Sequence, residues 1–148
     1  MSNPIPLECE QTIPQFDVSG TIETWEVQPE RVTNVIRTNQ KWGVLFKLTQ
    51  SGPLCWFLDA QWHVKISLEQ IGPEEAPEIP EKVLDLVRQD PHTYTGNVEV
   101  EPNQLPAGDY IMVAALTLTD STGTIPLPLG AYAEGPKIHI YVPGPMHP

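Results

Sequence analysis

Basic residues are scarce in this sequence. Only 8 Lys and Arg stand against 19 Asp and Glu in 148 residues, so the formal net charge is −11. A chain this negative repels nucleic-acid phosphates and anionic lipid headgroups. We therefore expect neither a nucleic-acid partner nor a membrane partner, whereas the charge is compatible with a basic protein partner.

Cysteine and long apolar runs are also lacking. Cys9 and Cys55 are too few for a disulfide framework, and their spacing does not suit a metal site. We expect two reduced thiols in a cytoplasmic protein. A Cys9–Cys55 disulfide is the alternative if a secretory leader has been removed. The sequence shows no signal-peptide pattern and no apolar stretch long enough to span a bilayer.

Signatures of catalysis are missing as well. The sequence has no G-x-S-x-G motif and no glycine-rich phosphate loop. Residues 120–124 resemble the Asp-Thr-Gly motif of aspartic proteases and the phosphorylation motif of P-type ATPases. The first motif needs a second carboxylate and the second needs a large α/β domain, so 120–124 predicts a hairpin turn instead. We expect a non-enzymatic protein without cofactor or metal.

Histidine offers the remaining route to chemistry. His63, His92, His139 and His147 are not spaced as local metal ligands. His63 and His139 occupy polar positions of apparent strands, so we expect them to face solvent. A metal-dependent enzyme that uses one of them with a carboxylate is the least favoured alternative.

What the sequence does contain is alternation of apolar and polar residues, which is typical of half-buried strands. The clearest strands are predicted at 42–48, 62–68, 94–101, 110–119 and 137–142, with weaker ones at 4–13, 21–27 and 33–36. Because 110–119 is apolar at both alternating positions, it predicts a central strand covered on both faces for much of its length. The 17 prolines favour many turns and edge strands.

One short segment fits two kinds of element. Residues 81–89 follow Pro80 and place four apolar side chains on one side of a helix, with an acid early and a base late. This pattern predicts a short helix. A short strand over 82–87 is the alternative, because short apolar runs fit both periods.

Residues 105–110, Leu-Pro-Ala-Gly-Asp-Tyr, resemble the E–F corner of immunoglobulin-like and fibronectin type III-like domains. The resemblance implies that the Tyr110 ring packs under the corner while its hydroxyl bonds to the upstream backbone. It also puts Trp62 where such domains hold a core tryptophan, although the cysteine pair of antibody domains is absent. We predict an all-β, antiparallel, immunoglobulin-like sandwich of about seven strands, forming one domain over 1–148 with short flexible tails at 1–4 and 143–148.

Two apolar segments stand out as candidate surfaces. Trp56 and Phe57 follow a turn, and residues 123–136 hold apolar side chains between prolines without a charge before Glu134. Either segment could cover an open end of the core, or it could form a rigid loop presented to a partner. The candidate binding residues are Trp56, Phe57, Ile125, Leu127, Leu129 and Tyr132.

These features favour a protein-binding adaptor or scaffold module. It would bind a protein partner, or a second copy of itself, through these segments or through an edge strand. The alternative is a carbohydrate-binding sandwich in which Trp25, Trp56 or Tyr132 stacks on sugar rings.

Overall fold

The computed structural model describes residues 5–11, 13–26, 31–32, 35–70, 79 and 81–143, which fold into two packed β-sheets. All neighbouring strands are antiparallel except β5 and β11, which pair in parallel. The strands are β1 Ile5–Pro6, β2 Glu8–Gln11, β3 Asp17–Glu26, β4 Arg31–Val32, β5 Val35–Arg37, β6 Trp42–Ser51, β7 Ala60–Gln70, β8 Lys82–Asp85, β9 His92–Val100, β10 Gly108–Asp120 and β11 Pro126–Tyr141.

The first sheet has the order β1-β3-β6-β9, with β4 paired to β3. Its long strands have the period-two pattern that the sequence predicts. In β6, Trp42, Val44, Phe46 and Leu48 are buried against the second sheet, while Lys47 faces solvent. The prediction of a strand at 42–48 is confirmed.

The second sheet has the order β2-β11-β10-β7-β8, with β5 paired to β11. Strand β10 lies between two long neighbours, so its predicted central position is confirmed. The prediction that both its faces are covered for much of its length holds only in part, because Ile111, Val113 and Ala115 are half-buried on the outer face.

The core lies between the two sheets and contains three large aromatic side chains. Trp42, Trp62 and Tyr110 are almost completely buried. Phe16, from the turn before β3, stacks on Trp62 with the ring centroids 5.7 Å apart. Aromatic side chains of this size supply much of the apolar area that a small sandwich buries.

The predicted helix at 81–89 is not present, since residues 82–85 form β8 along the edge of β7. The strand alternative is therefore correct. Pairing places Leu84 opposite Trp62 on the inner face and Val83 opposite His63 on the outer face. The backbone hydrogen bonds offered by the free edge of β7 decide between two patterns that the short apolar run fits equally well.

The E–F corner has the geometry that the resemblance implies. The Tyr110 hydroxyl donates a hydrogen bond to the carbonyl oxygen of Pro106 at 2.6 Å, and Leu105 is buried beside it. Strands β6, β9, β7, β10 and β11 occupy the positions of strands B, E, C, F and G of an immunoglobulin-like sandwich. The chain is thus an all-β sandwich of this broad type. The predicted tails lie outside the described residues, apart from Pro143.

Candidate functional site

Three connections meet at one end of the sandwich, which we call the loop end. They join β6 to β7 (52–59), β8 to β9 (86–91) and β10 to β11 (121–125). Antiparallel pairing brings them together, because Asp120 at the end of β10 lies opposite Ala60 at the start of β7. The Leu86 N–H also donates to the Ala60 carbonyl oxygen at 3.0 Å. Binding residues often sit on loops of this kind, which a rigid scaffold positions.

The loop end exposes four large apolar side chains: Val87, which is 40% exposed, and three that the sequence analysis selects as candidates. Residues 53–56 form a 3-10 turn that buries Cys55 and turns Trp56 outward, so that Trp56 is 51% exposed and Phe57 77% exposed. Ile125, in the turn before β11, is 59% exposed. These are three of the six residues that the sequence nominates. Large apolar side chains grouped at one end of a molecule are typical of a contact surface.

The other three nominated residues are placed differently. The loop predicted over 123–136 is wrong from residue 126 onward, because Pro126 begins β11. Leu129 is only 2% exposed and belongs to the core, while Leu127 packs partly against the core. Tyr132, opposite Ala115, lies half-buried on the outer face of the second sheet.

The prolines of this segment misled the sequence prediction, and the pairing shows why they are tolerated in a strand. The ladder between β10 and β11 shifts register between Thr117 and Thr119, where Gly130 and Pro126 are the successive partners. Pro128 falls inside this irregularity, where the regular ladder is interrupted. Proline is accepted in sheets at strand starts and bulges, which are the positions of Pro126 and Pro128.

A buried amide holds the loop end together. Gln50 is 0% exposed, and its Nε2 donates to the carbonyl oxygens of Val87 at 2.6 Å and Gln89 at 2.9 Å. Its Oε1 accepts from the Tyr94 hydroxyl at 2.6 Å and from Trp62 Nε1 at 3.3 Å. The Tyr94 hydroxyl in turn accepts from the Val87 N–H at 2.8 Å, and burial raises the pKa of Tyr94. This Gln50 network ties both sheets to the 86–91 connection.

Sequence reasoning missed Gln50, although a signal for it exists. Residues 42, 44, 46 and 48 are apolar and share one alternating position, which Gln50 continues. A polar side chain at an inward position needs buried partners. Its partners are separated from it by 12 to 44 residues, so the sequence does not identify them.

The turn between β10 and β11 is fixed by one carboxylate. Asp120 Oδ1 accepts from the backbone N–H groups of Ile125 and Thr124, both at 3.1 Å, and Asp120 Oδ2 accepts from the Thr122 hydroxyl at 2.8 Å. The Ile125 N–H, followed by the Thr122 hydroxyl, lowers the pKa of Asp120. Gly123 supplies the positive φ of 78° that the turn needs. The hairpin turn predicted at 120–124 is present.

His63, His92 and His139 each have a hydrogen-bond partner, whereas His147 lies outside the described residues. His63 lies between Glu81, 3.0 Å from Nδ1, and Thr119, 2.9 Å from Nε2. His139 Nδ1 lies 2.7 Å from Asp109. His63 is more buried than its polar position predicts. In the part of the chain that the structure describes, no three His, Cys, Asp or Glu side chains are grouped as a metal site would require.

The remaining candidate residues are spread over separate surfaces. Trp25 lies on the outer face of the first sheet, away from Trp56 at the loop end and Tyr132 on the second sheet. The three stacking platforms of the carbohydrate hypothesis are therefore not brought together. Cys9 and Cys55 are both free thiols, and Cys55 is buried.

Comparisons with known proteins identify no family for this chain. No family model matches the chain, and no curated protein matches it. The chain is similar to a solved structure of the CARDB domain of a protein from Pyrococcus furiosus in complex with di-metal ions. The match has 13% identity, covers 89% of this chain and 99% of that chain, and has a TM-score of 0.46. A likeness of this degree assigns no role to any residue here. Within the described residues, no helix has the length and apolar character that crossing a bilayer would require.

Proposed function

We propose that the chain is a non-enzymatic protein-binding module that contacts its partner through the loop end. The observation that supports this function is the exposure of Trp56, Phe57 and Ile125 at one end of the sandwich. A single exposed apolar residue is ordinary on a soluble protein, but three large ones on converging loops are not. Aromatic side chains of this kind dominate the energy of many protein interfaces.

The support beneath these side chains suits binding. The Gln50 network anchors the connection at 86–91, and the Asp120 carboxylate closes the turn that presents Ile125. In addition, the Gly52 N–H donates to Asp90 Oδ1 at 2.9 Å, which ties the first two connections to each other. Loops that are held in place before binding lose less conformational entropy when a partner arrives.

The expected partner has an apolar pocket with a basic rim. Trp56 and Phe57 require an apolar cavity to leave water. The net charge of −11 favours a positively charged approach surface. Asp59, whose side chain is largely exposed two residues after Phe57, would lie at the rim of the contact. Its ion pair with Arg88, at 3.7 Å, is solvent-exposed and therefore weak.

The experiment compares capture by wild-type protein and by the double variant Trp56→Ser/Phe57→Ser. Each is immobilised and exposed to lysate of the source cells, and retained proteins are identified by mass spectrometry. We expect the double variant to lose the specific partner while its melting temperature stays within about 2 °C of wild type. The matched control is Val142→Ser, because Val142 is 68% exposed at the opposite end of β11. This control should retain the partner.

Equal capture by the wild type and the double variant would remove the loop end as the interface. A fall in melting temperature that accounts for the lost capture would show instead that the two aromatics stabilise the fold. Sedimentation velocity over a range of protein concentrations separates the two kinds of occupant. A dimer that the double variant abolishes would identify a second copy of this chain, rather than a different protein, as the partner.

A further inference from the structure

The outer face of the first sheet contains a groove that the proposed interface does not use. It runs across three neighbouring strands, β3, β6 and β9, and its volume is about 680 Å³. That volume lies within the usual range of small-molecule sites, roughly 300 to 1,000 Å³. Its lining includes Thr21, Glu23, Leu45, Lys47, Thr95 and Asn97.

Strand register arranges the groove in cross-strand rows. Residues on one face of an antiparallel strand repeat about every 6.8 Å, since each residue advances about 3.4 Å. Successive rows on the outer face are Thr21, Lys47 and Thr95, then Glu23, Leu45 and Asn97, then Trp25, Gly43 and Glu99. The groove thus presents two rows rich in polar side chains, and the next row, outside its lining, holds an indole beside a glycine.

The two charged groups of the groove have unused hydrogen-bonding capacity, whereas Asn97 Nδ2 already donates to Glu99 Oε1 at 3.5 Å. Among the described residues, Glu23 and Lys47 form no ion pair with each other or with another side chain. Other charges on the same sheet are paired, since Lys41 Nζ lies 3.0 Å from Glu99 and 3.5 Å from Glu101. A carboxylate and an ammonium in one groove can therefore both be offered to a ligand.

A carboxylate and an ammonium group in one groove suit a particular class of ligand. A hydroxyl group donates to a carboxylate such as Glu23 and accepts from an ammonium such as Lys47, so a neutral polyol uses both. A phosphate or an anionic ligand would be repelled by Glu23 and by the net charge of −11. The half-buried Trp25 in the adjacent row offers an aromatic surface on which the C–H face of a sugar ring can pack.

We propose that this groove is a saccharide-binding site, in which Glu23, Lys47 and Asn97 bind hydroxyl groups and Trp25 supports a neighbouring sugar ring. The ligand is a neutral oligosaccharide lying along the three strands. The site is separate from the loop end, so neither proposal depends on the other.

The test titrates the protein with five defined oligosaccharides: cellohexaose, xylohexaose, mannohexaose, maltohexaose and chitohexaose. Binding is measured by calorimetry and located by amide chemical shifts. At least one sugar should perturb the amides of β3, β6 and β9 around the groove. The variants Glu23→Ala and Asn97→Ala should each weaken binding of that sugar about tenfold or more, which corresponds to losing one good polar contact.

Two controls make the outcome decisive. Lys65→Ala changes a charge on the outer face of the second sheet and should bind the sugar as wild type does. The variant Trp56→Ser/Phe57→Ser should also bind it normally, which separates this site from the protein interface. If none of the five sugars perturbs the groove, or if Glu23→Ala and Asn97→Ala bind as wild type does, the proposal is overturned.

Discussion

The two ends of the sandwich each bury a tyrosine, but they satisfy its hydroxyl in different ways. At the E–F corner, Tyr110 donates to Pro106, four residues upstream in the chain. At the loop end, Tyr94 donates to Gln50, 44 residues away, and accepts from the Val87 N–H. One hydroxyl completes a local turn. The other joins a network that spans both sheets.

The two ends are therefore stabilised by different kinds of interaction. The Tyr110 hydrogen bond at the corner stays within a short loop, and the neighbouring Asp109 and His139 side chains lie at the surface. The loop end instead depends on a fully buried amide that makes four hydrogen bonds. Buried polar groups are costly when a partner is lost, so the loop end should be the more fragile of the two.

Replacing Gln50 should produce the largest effect. Gln50→Ala leaves the Trp62 N–H and the Val87 and Gln89 carbonyl oxygens without their buried partner, and each such loss costs about 1–3 kcal/mol. We expect the free energy of unfolding to fall by about 4 kcal/mol in urea denaturation. Amide exchange should accelerate at 86–91 while the corner around Tyr110 stays protected.

A loss below about 1 kcal/mol for Gln50→Ala would contradict the account of the loop end, because a network that can be deleted at so small a cost does not hold the loops. The matched control is Gln104→Ala at the corner. Among the described residues, the Gln104 side chain has one hydrogen-bond partner, the exposed Glu101 N–H, from which it accepts at 3.2 Å. We expect this control to change stability by about 0.5 kcal/mol or less, as is usual for surface positions.

A second comparison, within the loop end, distinguishes a residue that stabilises the fold from a residue that is exposed at the surface. Leu129→Ser removes a core side chain from β11 and should lower the free energy of unfolding by about 3 kcal/mol. Ile125→Ser, on the preceding turn, should change it by about 0.5 kcal/mol or less, because Ile125 is already in water. Thermal and urea denaturation of the two variants measure both values. Similar losses of unfolding free energy would mean that Ile125 packs against the rest of the protein rather than lying exposed for a partner.

The sequence predicts local features well and non-local ones poorly. Alternation identified the long strands β6, β7, β9 and β10, and the Leu105–Tyr110 pattern identified the corner. Each depends on residues close together in the chain. By contrast, the segment 81–89 contains a strand rather than a helix because it pairs with the edge of β7, and Pro128 fits into β11 because the register with β10 is irregular there. Both outcomes depend on pairing partners that are distant in sequence.

The same distinction between local and non-local features applies to the candidate site. Trp56, Phe57 and Ile125 were accessible to prediction because turn signals flank them, and turns lie on the surface. The burial of Leu129 and the Gln50 network were not, because each depends on which strands pair. The groove that contains Glu23, Lys47 and Asn97 exists only once β3, β6 and β9 are placed side by side.

Removing the two tyrosine hydroxyls tests directly whether the loop end and the corner differ in this way. Tyr94→Phe leaves the Val87 N–H without its acceptor and removes one donor from Gln50, so it should cost about 2 kcal/mol. Tyr110→Phe removes one bond to a carbonyl at a partly solvated corner and should cost about 1 kcal/mol. Chemical denaturation gives both values. Equal costs, or a larger cost at the corner, would contradict the ranking of the two ends.

The smallest effect should appear in two surface carboxylates, one near each end. The pKa of Asp109 is lowered chiefly by the His139 hydrogen bond, with help from Lys137, while the pKa of Asp120 is lowered chiefly by the Ile125 backbone N–H. Each group therefore binds its proton less tightly when folded than when unfolded. The stability it contributes is present above its ordinary pKa and lost as pH falls through its folded value.

Salt should distinguish these two causes. Imidazole and amine groups are positively charged in acid, so added salt screens their effect on Asp109 and should raise its pKa toward the ordinary value. The backbone donors at Asp120 carry no net charge, and its pKa should change less. Carbon-detected NMR titration at low and high salt measures both carboxyls, with Asp109→Asn and Asp120→Asn confirming the assignments. Equal salt shifts would mean that the turn at the loop end is held by general electrostatics rather than by directed backbone hydrogen bonds.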